Sequence, residues 1–328
     1  MTNNIIPSYI LKSYSLVKDA PIAHLSSQRL SEEIKSPNLA WAHLDANDPE
    51  TKNWLTRECD YLDHIIIDGL LADETRPRVE QINEGIFLIL RCVNLNENSD
   101  PEDMVSIRMY MDPHRIISIQ KRETKSIEDM ERLILSGHAP DNCGDFLCLL
   151  LNSIFKRTEP ILGSLDEVMD NVEAELIENP HASLRSKLVN IRKQAILFRR
   201  YLVPQRDVFS ELRDLDIQWI SDFQRRQLHE NYNHMIRYVE DLDSLRERSQ
   251  IIKDELSNLL TDRINKNMYI LSVIAAIFLP MTFLTGLLGI NVGGIPGAHS
   301  NDAFYIFLFS LFILVTFQIL LFKKLKWF

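Results

Sequence analysis

Two long uncharged stretches distinguish the C-terminal end of the chain from the rest. No Asp, Glu, Lys or Arg occurs between Lys266 and Asp302, and none occurs between Asp302 and Lys323. Within these stretches, apolar residues run from Tyr269 to Ile290 and from Ala303 to Phe322. A helix needs about 20 apolar residues to cross a bilayer, so both runs are long enough. Two such runs in succession, followed by lysines, indicate two membrane spans and not helices of a soluble core.

The segment before the first span has the apolar spacing of a long helix that packs against other helices. The apolar positions recur mostly at steps of three and four: Leu228, Tyr232, Met235, Val239, Leu242, Ile252, Leu256, Leu259 and Met268. Because no turn signal intervenes, the pattern predicts one helix from about Asp222 to Ile290, on the order of 100 Å long. Such a helix needs partners, most simply copies of itself around a symmetry axis.

The first 150 residues have a mixed pattern. Alternating and continuous apolar runs predict strands at Trp41–Asp45, Gly85–Asn94 and Arg115–Gln120. Helical spacing predicts helices at Pro49–Glu58, with Asp48 as the N-cap, and at Ser126–Ser136. From Phe146 onward the pattern is helical, with breaks predicted at Glu178–Pro180 and at Pro204. We therefore predict an α+β cytoplasmic domain (1–150), a long-helix stalk (151–266) and a two-helix transmembrane pore domain (267–328).

Composition and charge narrow the functional class. The chain has 328 residues and a formal net charge of −10, with the acidic excess upstream of Lys266. This balance disfavours nucleic acid as a partner. The sequence contains no GxSxG, Walker-type or dinucleotide-binding glycine motif, so neither an enzyme nor a cofactor is expected. Cys59, Cys92, Cys143 and Cys148 have no CxxC spacing and are expected to be core residues.

The distribution of lysine and arginine predicts the orientation in the membrane. The N-terminus lacks the features of a signal peptide, so the first domain is expected in the cytoplasm. Arg263 and Lys266 precede the first span, and three lysines follow the second, whereas the connecting segment 292–302 contains neither residue type. By the positive-inside rule, both termini face the cytoplasm and the short loop lies outside.

One face of the first span becomes small and polar towards its outer end. The three-four spacing continues through Met268, Leu271, Ala275, Leu279, Thr282, Gly286 and Gly289. Small residues let helices approach closely or leave space along an axis, so this stripe fits either a packing face in a membrane anchor or the lining of a pore. The segment Gly289-Ile-Asn291 then places an amide at the outer surface. Amide oxygens repeated around an axis suit hydrated hard cations, which favours the pore.

The residues around this amide resemble those of the CorA metal-ion transporter superfamily. The resemblance is carried by Pro280-Met-Thr-Phe-Leu-Thr-Gly286, by Gly289-Ile-Asn291, by the two terminal spans and by the basic tail. Most of the superfamily has methionine at the position of Ile290. The isoleucine variant resembles the ZntB branch, which is associated with zinc transport. Four further stretches are similar to that branch: Thr75–Arg78, Leu88–Asn96, Glu102–Ser106 and Arg199–Arg206.

The resemblance implies a funnel-shaped homopentamer in the bacterial inner membrane that transports divalent cations: Zn²⁺ first, with Mg²⁺, Co²⁺, Ni²⁺ and Cd²⁺ as further candidates. Asn291 would meet the hydrated ion, with Gly289 and Ile290 beside it. The path inward would be lined by Gly286, Thr282, Leu279, Ala275, Leu271, Met268 and Asn265. Neither span contains Cys, His, Asp or Glu, so zinc would pass at least partly hydrated.

Other metal ligands and other functions remain open at this point. His229 with Glu230 on the stalk helix, repeated around an oligomer, and His299 in the outer loop are weaker candidates for zinc binding. Within transporters the alternative is a magnesium or cobalt channel of the same fold. Outside transporters it is a membrane-anchored scaffold or sensor. Proton coupling is compatible with the sequence, because no ATP-binding motif is present.

Overall fold

The computed structural model describes residues 6–17, 24–73, 75–290, 295, 297 and 300–324. The chain divides into two compact units. The first comprises Met1–Asn179 and Ser183–Lys253, and the second comprises Pro180–Ala182 and Asp254–Phe328. The predicted functional boundaries at residues 150 and 266 stay predictions, because compact units need not coincide with functional domains.

The first unit contains a six-stranded mixed sheet. The strands are β1 (Ile10–Ser15), β2 (Ala40–Asp45), β3 (Arg78–Ile82), β4 (Gly85–Cys92), β5 (Val105–Asp112) and β6 (Arg115–Gln120). Their order is β1-β2-β6-β5-β4-β3, with β2 and β6 parallel and the other neighbours antiparallel. The three predicted strands are confirmed as β2, β4 and β6.

The described residues of the two units contain eight helices. They are α1 (Ser27–Ile34), α2 (Pro49–Glu58), α3 (His64–Leu71), α4 (Lys125–Leu135), α5 (Cys143–Glu178), α6 (Leu184–Asp214), α7 (Asp222–Leu288) and α8 (Ala303–Lys324). The carboxylate of Asp48 accepts a hydrogen bond from the Glu50 amide, so its predicted role as N-cap of α2 is confirmed. The predicted long helix is confirmed as α7. The α+β domain, the long helix and the two apolar helices together confirm the predicted fold class.

The inner strands of the sheet are buried on both faces. Alternate residues of β2 and β6, such as Ala42 and Ile117, pack with α1, α2 and α3 in one apolar cluster. The residues between them point to the opposite face, because side chains alternate along a strand. There the Trp41 ring packs edge-on against Phe146 of α5, with ring centroids 5.2 Å apart. Its indole N–H donates to the Ser118 hydroxyl at 2.8 Å, so the one polar atom of this ring is satisfied.

The two prolines expected to interrupt the helices behave differently. The break at Glu178–Pro180 is confirmed, since α5 ends at Glu178. The break predicted at Pro204 is wrong, because α6 continues through it to Asp214. A proline inside a helix removes one hydrogen bond and costs about 3 kcal/mol. Burial of Leu202, Gln205 and Val208 beside it offsets that cost, and sequence spacing alone does not reveal that burial.

The four cysteines are buried and unpaired, as expected of core residues. Burial raises the pKa of the Cys59 thiol and of the Cys92 thiol to about 12. Both thiols are therefore protonated at neutral pH, and they act as small apolar groups in the packing.

A partly buried ion pair joins α4 to α5 and gives a pH-dependent prediction. Arg157 donates to both carboxylate oxygens of Asp129 at 2.8 and 2.7 Å, and Ser153 donates at 2.9 Å. Burial acts to raise the pKa of Asp129, but the hydrogen bonds from Arg157 and Ser153 outweigh it and hold the pKa below its ordinary value of 3.8. Asp129→Asn should therefore lower the free energy of unfolding by about 1 to 2 kcal/mol at pH 7.

The stabilisation from Asp129 is complete above the unfolded-state pKa and is lost as the pH falls through the lower, folded-state pKa. Urea unfolding followed by circular dichroism should thus give a gap between wild type and variant that narrows below about pH 4. Asp68→Asn is the matched control, because Asp68 pairs with Lys52 at the surface and such pairs contribute about 0 to 1 kcal/mol. A gap that does not change with pH would refute the role given to this carboxylate.

Candidate ion pathway

The second unit contains the two helices that are long and apolar enough to cross a membrane, the end of α7 and the whole of α8. In the first unit α7 buries Leu228, Met235 and Leu242. Further along the helix, beyond Leu256, most apolar positions become exposed, and Leu279 is 70% exposed, although Val273 is buried. The apolar surface of this part of α7 is therefore free to contact lipid or other copies of the chain.

The residues predicted to line a pore lie along one face of α7. Asn265, Met268, Leu271, Ala275, Leu279, Thr282 and Gly286 follow one another at steps of three or four within the helix. All of them are exposed in the single chain, and so are Gly289 and Ile290 just after the helix end. The stripe that the sequence predicted is thus one continuous surface, exposed in the single chain.

Two threonines near the C-terminal end of α7, Thr282 of the stripe and Thr285 beside it, present oxygen atoms without a free proton. Thr282 donates its hydroxyl hydrogen to the Phe278 carbonyl at 2.9 Å, and Thr285 donates to the Met281 carbonyl at 3.0 Å. Since the hydrogen is committed to the backbone, the lone pairs of each oxygen remain available. An oxygen of this kind can accept from the water shell of a cation.

The two glycines of the stripe meet different surroundings. A Cβ added at Gly286 would meet no atom within 4 Å other than its chain neighbours and the backbone of its own helix. At Gly289 an added Cβ would lie 2.9 Å from the Thr285 carbonyl oxygen, in the last turn of the helix. A side chain at 289 would therefore be crowded by the backbone of its own helix end. A Cβ at 286 would touch no described side chain other than those of its chain neighbours.

Of the remaining predicted ligands, the structure describes His229 and Glu230, which precede the stripe along α7. His229 and Glu230 are exposed near the start of α7. Among the described residues, no group of three or more His, Cys, Asp or Glu side chains could hold a metal ion. Asn291 and His299 lie outside the described residues, so their roles stay predictions.

Four stretches that carried the family resemblance meet at one residue of the first unit, Arg91 in β4. Its guanidinium donates to the Met104 carbonyl at 2.9 Å and to the Thr75 carbonyl, and it stacks over Tyr201 at 4.6 Å. The backbone N–H of Arg91 donates to the Gln205 side chain at 2.6 Å, and its carbonyl accepts from Gln205 at 3.1 Å. Arg91 therefore links the four stretches to one another, and we call this set of contacts the Arg91 junction. The sequence feature that indicates this role is the charge of Arg91, which stands alone in the otherwise apolar run of β4.

Comparison with known proteins agrees with this architecture. The family model described as CorA-like Mg2+ transporter protein matches residues 37–324. The zinc transport protein ZntB of Yersinia enterocolitica is 36% identical over 287 residues, covering 88% of this chain and 87% of ZntB. The divalent cation transporter CmaX of Pseudomonas aeruginosa is 35% identical over 290 residues, covering 88% of this chain and 87% of CmaX. A full-length CmaX structure has a TM-score of 0.85 at 32% identity and covers 99% of this chain and 100% of that one.

A mixed α+β unit, one long helix and two apolar helices at the end define the class of protein. The chain belongs to the CorA-like Mg²⁺ transporter family. The resemblance to the CorA superfamily, and to its ZntB branch, is thereby confirmed.

Proposed function

We propose that this chain assembles as a homopentamer in the bacterial inner membrane and carries divalent cations, zinc foremost, through a central pore. The observation that supports this most is the exposed stripe on α7, which leads to Gly289-Ile-Asn291 and has no partner within the described chain. The names of the relatives, a zinc transport protein and a divalent cation transporter, agree with that cargo.

The path would run inward from Asn291 past Thr282, Leu279, Ala275, Leu271, Met268 and Asn265, with Gly286 leaving room near the mouth. Two helices per chain cannot enclose water, whereas several copies around an axis can. The lining offers amide and hydroxyl oxygens but no thiolate, imidazole or carboxylate. Zinc would keep much of its water shell, because ligands that replace that shell tightly are absent.

The proposed chemistry also suits related ions. Oxygen contacts to a hydrated ion discriminate weakly, so Co²⁺, Ni²⁺ and Cd²⁺ would compete with zinc, and Mg²⁺ is the alternative main cargo. Both termini would face the cytoplasm, where His229 and Glu230 of neighbouring copies could hold zinc before release. Without an ATP site in the sequence, ion flux would follow the zinc gradient or a proton gradient.

Flux into liposomes tests this proposal directly. Purified protein in proteoliposomes that contain a zinc-sensitive dye should admit zinc faster than protein-free liposomes, and an inside-alkaline pH gradient should accelerate entry if protons are co-transported. Parallel assays with Mg²⁺ and Co²⁺ would rank the cargoes. Protein that elutes as an oligomer and passes none of these ions would contradict transport and favour a membrane scaffold.

A further inference from the structure

Pro280 leaves one backbone carbonyl of α7 without its helical partner. The proline lies inside the helix, eight residues before its end at Leu288. In an α-helix the N–H of each residue bonds to the carbonyl four residues earlier, and proline has no N–H. The carbonyl of Ala276 therefore lacks the donor that an ordinary residue at 280 would supply. In the hydrocarbon core, an unpaired carbonyl is strongly unfavourable because no water can satisfy it.

The side chain of Gln318 in α8 reaches this same carbonyl. Its Nε2 donates to the Ala276 oxygen at 3.5 Å, and the residue is 7% exposed. The other hydroxyl-bearing residues of α8 bond within their own helix. Ser310 donates to the Ile306 carbonyl, and Thr316 donates to the Phe312 carbonyl, each at 2.8 Å. Gln318 thus differs from its polar neighbours in joining the two helices.

We propose that Gln318 is a positioning residue that replaces the hydrogen bond removed by Pro280 and so fixes α8 against the proposed pore helix. The bond is made one residue after Ala275 and one turn before Pro280, at the level of the stripe that includes Leu279. Its consequence for ion flux rests on the proposed function, whereas the bond itself does not.

A double-mutant cycle on the intact protein tests the pairing of Gln318 with Pro280. Gln318→Leu removes the donor while keeping the volume, and it should lower the melting temperature in detergent by about 2 °C. Pro280→Ala restores the backbone N–H at position 280, which can then bond to the Ala276 carbonyl. In that background, Gln318→Leu should change the melting temperature by less than about 1 °C.

Thr316→Val is the matched control, because it removes a polar group from α8 without breaking a bond to α7. It should give the same small effect in both backgrounds. Equal losses from Gln318→Leu with and without Pro280 would overturn the proposal, and so would no loss in the wild-type background. A shift confined to the wild-type background would support it.

Zinc flux from the same variants separates this inference from the proposed function. Gln318→Leu should slow flux about three-fold in the wild-type background and leave it nearly unchanged in the Pro280→Ala background, since an interhelical hydrogen bond in a membrane is worth about that factor. If the wild-type protein carries no ion, the proposed function fails while the thermal cycle still decides the bond. If wild type carries zinc and the cycle shows no coupling, only the role of Gln318 fails.

Discussion

Replacing Asn291 by alanine should reduce zinc flux at least about ten-fold while leaving the protein folded and oligomeric. The proposed pore presents one amide oxygen from each copy to the arriving ion. Alanine removes all of these oxygens together. The ion would then enter the path without the amide contacts that offset the disturbance of its water shell. The measurement is dye-reported zinc entry into proteoliposomes, normalised to the amount of protein inserted.

Asn301→Ala is the matched control for this variant. The substitution is the same, and Asn301 is an exposed residue before α8 on the same side of the proposed membrane. It should leave zinc entry within about two-fold of wild type. The informative comparison requires that both variants elute as the wild-type oligomer. Full zinc entry through correctly assembled Asn291→Ala protein would remove this amide from the pathway.

The elements of the first unit that could be predicted are those with strong local signals. β2, β4 and β6 are apolar runs, and α2 begins at an Asp-Pro pair that caps it. β1, β3 and β5 were missed. β3 is an exposed edge strand whose pattern is mostly polar, and β5 contains the charged residue Arg108 at a buried position. Strand identity in such segments depends on pairing with neighbours, which local sequence does not record.

The candidate pathway was predictable to the extent that it depends on helical spacing. Thr282 and Gly286 fall on the predicted face because α7 is unbroken. That continuity survives Pro280, as α6 survives Pro204, although each proline removes one helical hydrogen bond. The partner of Ala276 could not be predicted, since it depends on where Gln318 of another helix lies. The closure of a pore depends on contacts between copies, which no single-chain pattern specifies.

Gly286 bears both on the helix of the single chain and on contacts between copies. A Cβ there would meet no atom within 4 Å other than its chain neighbours and the backbone of its own helix. Glycine also lowers the stability of a helix by about 1 kcal/mol relative to alanine. A residue that costs stability and is not needed by its own fold points to a constraint imposed by neighbouring copies or by the path between them.

Replacing Arg91 by methionine should lower the free energy of unfolding by about 2 to 3 kcal/mol. Methionine fills a similar volume and keeps the backbone bonds to Gln205, but it cannot donate to the carbonyls of Thr75 and Met104. A partly buried acceptor that loses its donor costs stability because no water replaces the donor fully. Urea unfolding of the intact protein, followed by circular dichroism, measures this loss.

Arg78→Met is the matched control, because Arg78 also stacks on an aromatic ring, that of Phe87. Its polar partner differs, since Arg78 pairs with Glu80 and both side chains of that pair are exposed. It should cost about 1 kcal/mol or less. Equal losses of unfolding free energy from the two variants would refute the stabilising role given to the Arg91 contacts. Arg91→Met protein that is less stable but passes zinc normally per folded oligomer would show that Arg91 supports the fold only. Lost flux at unchanged stability would instead assign Arg91 to transport. The similarity of the four stretches to the ZntB branch would then reflect a shared role in transport and not a shared fold alone.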